Sequence, residues 1–221
     1  MAETPFVAVL TGDLIKSSQL SPDELETVRA QISEAFAELA TWDSPTSPVV
    51  AGEVDFFRGD SWQAALEQAR FALRAVLFLR AHLISQGLSD TRTAIGLGAV
   101  DHLDRELISR SSGEAFLLSG HALDKLSPKV NLTAAIARER DGQLHHWLPV
   151  VCQLCDSILN RWSRRQAEMM TLALHPADLT HEEISRQLGT SRQNVTATLD
   201  SAQGSVLEQV VQVFEKTFPN P

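Results

Sequence analysis

Strand signals and helix signals alternate through the first two-thirds of the chain, and from Val150 onward only helix signals remain. That asymmetry limits the fold more than any single motif, because it calls for one sheet-containing layer structure followed by a helical unit. Residues 5–12, Pro5-Phe6-Val7-Ala8-Val9-Leu10-Thr11-Gly12, read as a short buried strand closed by Thr-Gly. Ser21-Pro22-Asp23-Glu24 carries a helix start. Ser21 is its N-cap, Pro22 takes the first helical position and Glu24 completes a capping box. Leu25, Val28, Ile32, Phe36 and Leu39 continue that helix to about Thr41. Residues 49–57 and 61–66 predict a hairpin turning at Arg58-Gly59-Asp60. A second helix is expected over about 67–86 and a strand over Thr91–Val100, despite Gly96 and Gly98. A polar stretch over 101–112 reads as loop or short helix, and residues 113–126 as helix. Residues 131–137 and 143–148, separated by Arg140-Asp141-Gly142, predict a last hairpin.

The resulting order is the split βαβ pattern, extended at its end. It predicts a ferredoxin-like α+β fold, an antiparallel or mixed sheet with helices on one face. Helices follow over about 150–160, 164–174, 180–188, 191–203 and 205–217. A boundary near Pro149 therefore separates an α+β domain of residues 1–149 from an all-α domain of residues 150–221.

At 221 residues the chain is long enough for this arrangement with a real core. Its net charge of -9 argues against a protein that coats nucleic acid or sits on an anionic membrane. No uninterrupted apolar segment is long enough to span a bilayer. Met1-Ala2-Glu3-Thr4-Pro5 lacks a basic start and a cleavable apolar stretch, so a cytoplasmic protein without a membrane partner is expected. Cys152 and Cys155 have redox-motif spacing, but they share an apolar face with Val151, Leu154 and Ile158, and core packing is the expectation. His145 and His146, placed in the last hairpin, should point to opposite faces and share no metal. Trp62 reads as a core residue, and His121 as surface or helix packing.

Two short patches carry the strongest chemical signal. Thr11-Gly12-Asp13-Leu14-Ile15 and Arg58-Gly59-Asp60-Ser61-Trp62 each set an aspartate beside a glycine at the end of an apolar run. An aspartate in that setting serves most often as a turn residue. The strand order, however, brings Asp13 and Asp60 to one edge of the sheet. Two carboxylates there suit Mg²⁺ or Mn²⁺ held against phosphate. Backbone N–H groups of Lys16, Ser17 and Ser18 can cradle that phosphate, with Lys16 adding a point charge.

These residues also resemble a known group. Gly12-Asp13-Leu14-Ile15-Lys16-Ser17-Ser18 is similar to the opening strand and turn of the class III nucleotide cyclases. Gly59-Asp60-Ser61 resembles their hairpin turn with the second metal aspartate, and Thr91–Gly98 the strand that follows. Thr11-Gly12-Asp13, Arg58-Gly59-Asp60-Ser61 and Gly113-Glu114-Ala115-Phe116 resemble the SatD family, a cyclase-like region followed by a helix-turn-helix. The resemblance implies a metal-dependent purine-nucleotide site at Asp13 and Asp60, and a homodimer paired through its sheets. Cyclases also use an Asn and an Arg on a later helix. The matching stretch here, Gly113 to Asp124, contains neither, so nucleotide binding is expected in preference to cyclisation.

Residues 162–203 carry the second signal, with Leu179–Val195 as its core. Thr180 and Glu183 form a capping box, Gly189 permits a tight turn and Ser191 caps the next helix. Ile184, Leu188, Val195 and Leu199 supply a shared apolar seam. This spacing resembles a helix-turn-helix. Arg192, Gln193, Asn194 and Thr196 then start the helix that would enter a DNA major groove, with Arg164, Arg165 and Arg186 placed for phosphates. Residues 156–221 hold six basic and eight acidic side chains, so docking to a protein partner stays open beside DNA binding. The leading expectation is a regulatory protein that couples nucleotide binding to this unit. An enzyme acting on nucleoside triphosphates and an interaction module with a vestigial site are the alternatives.

Overall fold

The first strand, β1 (Phe6–Leu14), is apolar on both of its faces, and the rest of the molecule is layered around that fact. Ala8, Leu10 and Leu14 enter one buried cluster, Val7 and Val9 another. A strand of this kind has to be covered on both sides. The computed structural model describes residues 5–43, 46–137 and 142–218. It sets β1 at the centre of five strands, joined by β2 (Asp55–Phe57), β3 (Ser61–Leu66), β4 (Thr91–Ala99) and β5 (Leu132–Ile136). Their order is β2-β3-β1-β4-β5. β1 pairs antiparallel with β3 and β4, β2 pairs antiparallel with β3, and β5 runs parallel to β4. β3 lies between β1 and β2, the split βαβ arrangement expected from the sequence.

Helices α1 (Pro22–Leu39) and α2 (Ala72–Gln86) cover the first face. α1 starts as its sequence dictates. Ser21 Oγ accepts from Glu24 N at 3.3 Å and Glu24 returns the bond to Ser21 N at 2.8 Å. α2 is buried all round from Ala72 to Leu83, because it is sandwiched between the sheet and the C-terminal helices.

The opposite face is where the expectation of helices on one side fails. α3 (Glu114–Asp124) packs there, and the cause is the pair of glycines in β4. A Cβ built on Gly96 would lie 2.2 Å from the Ala115 carbonyl oxygen and 2.6 Å from Ser119 N. With no side chain at 96, the helix backbone settles directly on the strand, and Thr11 Oγ1 and Ser119 Oγ close the contact at 2.8 Å. Glycine in a strand marks close backbone approach, so Gly96 argues for a second helical layer.

The expected strand over 143–148 is also corrected. Those residues begin α4 (Leu144–Leu159), which places Leu148, Cys152, Cys155 and Leu159 on one buried stripe. A six-residue window cannot separate the helical period from the strand period, and the continuation to Leu159 decides it. The Arg140-Asp141 part of the expected turn lies outside the described residues. His145 and His146 consequently stand as helical neighbours with ring centroids 3.7 Å apart, not on opposite faces. Pro149, the expected domain junction, lies within α4.

α5 (Arg164–Ala173), α6 (His181–Gln187), α7 (Arg192–Ser201) and α8 (Gly204–Thr217) complete the chain. Their apolar residues Met169, Ile184, Val195, Leu207 and Phe214 belong to the same buried cluster as Leu10 and Leu77. Two arginines of α2 fasten this layer. Arg74 reaches Glu215 of α8 at 2.6 Å and the Leu174 carbonyl at 3.1 Å. Arg80, with no exposed surface, donates to Asp90 at 2.6 Å, Asp156 at 2.7 Å and Asn160 at 2.9 Å. Burial opposes its charge, but Asp90 and then Asp156 more than offset this and raise its pKa. Cys152 and Cys155 are free thiols buried in the core, and burial pushes Cys155 up to about 11. Among the described residues no helix is long and apolar enough to cross a membrane.

Arg80→Ala would strand the Asp156 carboxylate inside the core. The expected loss is about 3–5 kcal/mol of unfolding free energy, read from urea denaturation. A loss below about 1 kcal/mol, the level of an exposed ion pair, would contradict this role.

Candidate functional site

The end of β1 owes its shape to Gly12. A Cβ there would sit 2.4 Å from the Trp62 ring, so only glycine lets the indole pass beneath the strand. Trp62 is fully buried, as expected, and its Nε1 donates to Thr91 Oγ1 at 2.9 Å. Thr91 Oγ1 in turn donates to the Asp13 carbonyl at 2.8 Å. The backbone of Asp13 is thereby pinned. Its side chain belongs to the sheet face that carries α3, in register with Ser61 on β3 and Arg92 on β4.

Asp60 arrives from the β2–β3 turn. Arg58 and Gly59 take positive φ values of 52° and 88°, which reverses the chain within three residues. Arg29 of α1 steadies the turn by donating to the Gly59 carbonyl and lying over the Phe56 ring, 5.7 Å from its centroid. The Asp60 carbonyl accepts from Leu14 N at 3.1 Å, so the two aspartates meet across adjoining strand ends. Lys16, in the left-handed region at φ 57°, is exposed and leads into a 3₁₀ turn at Ser17–Gln19. Ser17 Oγ donates to Asp60 Oδ2 at 2.5 Å. The segment is tied to the entry of β4, because Ile15 N donates to the Asp90 carbonyl at 2.9 Å.

The Asp13 carboxyl titrates above its ordinary value of 3.8. Burial is the main cause and the negative charge of Asp60 adds to it, while Arg92 pulls the other way. Arg92 Nε lies 3.6 Å from Asp13 Oδ1, and its Nη2 donates to the Leu123 carbonyl at 3.4 Å. Sequence reasoning missed Arg92 because it looked for a basic residue on the helix over 113–124. The readable signal was strand register: antiparallel pairing of β1 with β4 sets residue 92 opposite residue 13.

Two half-buried carboxylates close enough for one to feel the other could offer oxygen ligands to a hard divalent cation. Among the described residues no group of three or more His, Cys, Asp or Glu could hold a metal. A cation at Asp13 and Asp60 would therefore complete its shell with water or ligand phosphate, the habit of Mg²⁺. Asp13 and Asp60 are the residues that would hold such an ion.

A second assembly lies in the C-terminal helices. Thr180 and Glu183 make their capping box, with Thr180 N donating to Glu183 Oε2 at 2.8 Å. Gly189 adopts φ 61° in the turn, and Ser191 Oγ accepts from Asn194 N at 3.2 Å to start α7. Arg192, Gln193 and Asn194 are exposed on its first turn. Asn194 Nδ2 donates to Thr190 Oγ1 at 2.9 Å. Thr196 is half-buried, its hydroxyl 2.8 Å from His181 Nδ1 and 3.1 Å from the Arg192 carbonyl. Arg165 is paired with Glu168 at 2.5 Å.

No protein-family model and no curated protein matches the chain. Among solved structures it is similar to one described as a bacterial light-regulated adenylyl cyclase, at 15% identity and a TM-score of 0.41. That match covers 60% of this chain and 44% of the cyclase chain, so the chain spans less than half the length of the structure it resembles.

The raised Asp13 pKa gives a signed prediction. A carboxyl whose folded pKa is raised contributes stability that is present below 3.8 and lost as pH rises through the folded value. Asp13→Asn should therefore be more stable than the parent at pH 7, with the gap closing as the pH falls toward 4. Urea midpoints at the two pH values test this, and a less stable Asp13→Asn at pH 7 contradicts it.

Proposed function

We propose that this protein binds a purine nucleotide through a divalent cation held by Asp13 and Asp60, and passes the bound state to its C-terminal helices. The observation that carries this reading is that Asp13, at the end of β1, lies close enough to Asp60 in the adjoining β2–β3 turn to feel its charge. A bound Mg²⁺ or Mn²⁺ would supply charge neutralisation for phosphate at that edge. The chain's own residues do the rest. Asp13 and Asp60 orient the cation. Arg92, 3.6 Å from Asp13, and Lys16 would supply positive charge, and the backbone N–H groups of Lys16, Ser17 and Ser18 would be the donors to phosphate. Ser17 Oγ, bonded to Asp60, holds that carboxylate ready. α3 carries neither Asn nor Arg, which favours binding over cyclisation.

For the C-terminal unit we propose a helix-turn-helix with α7 as its reading helix. Arg192, Gln193 and Asn194 stand exposed at the helix start, the position from which side chains reach base edges. Thr196 supports the unit from within, through His181. The pairing of a cyclase-like sheet with such a unit is the arrangement the SatD-like motifs imply.

Calorimetric titration with ATP and GTP, with and without Mn²⁺, tests the first part. Mn²⁺-dependent binding that disappears in Asp60→Asn is expected. Equal binding without metal, or none at all, overturns it. For the second part, Arg192→Ala should lose about 1–3 kcal/mol of base discrimination in competition against random DNA. Equal binding to all sequences by the parent protein overturns specific readout.

A further inference from the structure

Arg92 stands beside the candidate cation site with its hydrogen-bonding capacity largely unused. Strand register sets it directly opposite Asp13, on β4. Its Nε is buried and makes no hydrogen bond among the described residues. Asp13 Oδ1 lies 3.6 Å from that Nε, within ion-pair range but too far for a hydrogen bond. Nη2 reaches the Leu123 carbonyl at 3.4 Å, a long and weak bond. The guanidinium therefore faces Asp13 without being locked to it.

The arginines of α2 show how differently a structural guanidinium is held in this chain. Arg80 donates to carboxylates at 2.6 and 2.7 Å, and Arg74 to Glu215 at 2.6 Å. Arg92 has no bond of that kind, and the strands on which it and Asp13 stand do not depend on it. β1 and β4 are paired through their backbones from Phe6 opposite Ala99 to Leu14 opposite Thr91. A buried donor left without a partner is costly, and a fold that keeps one does so for a reason other than stability. The charges at the site supply that reason. Arg92 partly offsets the two carboxylates from a distance that leaves the Asp13 oxygens open. A divalent cation on Asp13 would meet a like charge in Arg92 a few ångströms away. Repulsion at that range is worth on the order of a tenfold change in binding, enough to turn a weakly held side chain aside.

We propose that Arg92 is the exchangeable counter-cation of this site: it stands in for the divalent ion at Asp13, gives way when that ion binds, and then takes a phosphate of the nucleotide. The planar fork of a guanidinium matches two oxygens of one phosphate, which the point charge of Lys16 does not. With 28% of its side chain exposed, Arg92 reaches the surface from which a ligand arrives. The order of events is cation first and phosphate second, because the Asp13 charge engages the guanidinium until a metal takes that carboxylate over. Metal then promotes nucleotide binding in two ways, by contact with the phosphate and by release of Arg92. This inference rests on the cation reading of Asp13 and Asp60, and deepens it.

Two titrations of the full chain test it together: Mn²⁺ alone, followed by electron paramagnetic resonance, and ATP at saturating Mn²⁺, followed by calorimetry. Arg92→Gln removes the charge. It should bind Mn²⁺ alone about tenfold more tightly than the parent, and ATP about tenfold more weakly. Arg92→Lys keeps the charge and loses the fork, so its Mn²⁺ affinity should match the parent while its ATP affinity falls. An arginine with a purely structural role would move both affinities in the same direction or neither. Arg92→Gln that binds Mn²⁺ no more tightly than the parent, or ATP no more weakly, overturns the proposal and leaves the cation reading standing. If circular dichroism shows Arg92→Gln unfolded, Arg92→Lys decides, and an ATP affinity equal to the parent's overturns the proposal. A parent protein that takes up no Mn²⁺ overturns the cation reading and this inference with it.

Discussion

A single guanidinium, that of Arg80, ties together three parts of this molecule. It lies on α2 with no exposed surface and bridges Asp90, at the entry to β4, and Asp156 and Asn160 on α4. Asp156 also accepts from Asn131 N at 2.9 Å, beside the start of β5. Through its backbone carbonyl, Asp90 receives Ile15 N, the residue two beyond Asp13. One buried cation is thus shared by the loop of the candidate site, the edge of the sheet and the first C-terminal helix. A buried charge is tolerable only when its partners are held in good geometry, so these elements must close together.

Within that frame, close approach made possible by glycine shapes the site. Gly12 admits the Trp62 ring beneath β1, and the indole then fixes Thr91, which fixes the Asp13 carbonyl. Gly96 admits α3 to the other face. The two half-buried carboxylates are left at the ends of neighbouring strands, and burial, with the charge of Asp60 adding to it, raises the Asp13 pKa.

Much of this was legible in the residues. Helix starts were readable because their chemistry is local: Ser21 with Glu24, Thr180 with Glu183, and Ser191 all cap as their spacing predicts. The strand order followed from the sequence of elements, and with it the meeting of Asp13 and Asp60. What escaped was non-local. The second helical layer depended on Gly96 being opposite Ala115 and Ser119, and Arg92 entered the site only through register with β1. The misread segment at 143–148 shows the limit of short windows, since its helical stripe becomes visible only when Cys152, Cys155 and Leu159 are counted with Leu148. Arg80 gave no warning: an arginine inside an apolar helix reads as an exposed residue until Asp90 and Asp156 are brought beside it.

The central claim, that Asp13 and Asp60 act as a pair to hold a divalent cation, is open to direct observation by electron paramagnetic resonance of Mn²⁺. Free aqueous Mn²⁺ has a sharp spectrum that broadens and loses amplitude on binding. Titrating the protein into Mn²⁺ alone should remove one equivalent of the free signal, and a purine nucleoside triphosphate should tighten that uptake. That loss should vanish in Asp13→Asn and in Asp60→Asn, each of which leaves only one carboxylate. An unchanged signal with the parent protein, or equal loss with either variant, would contradict the account.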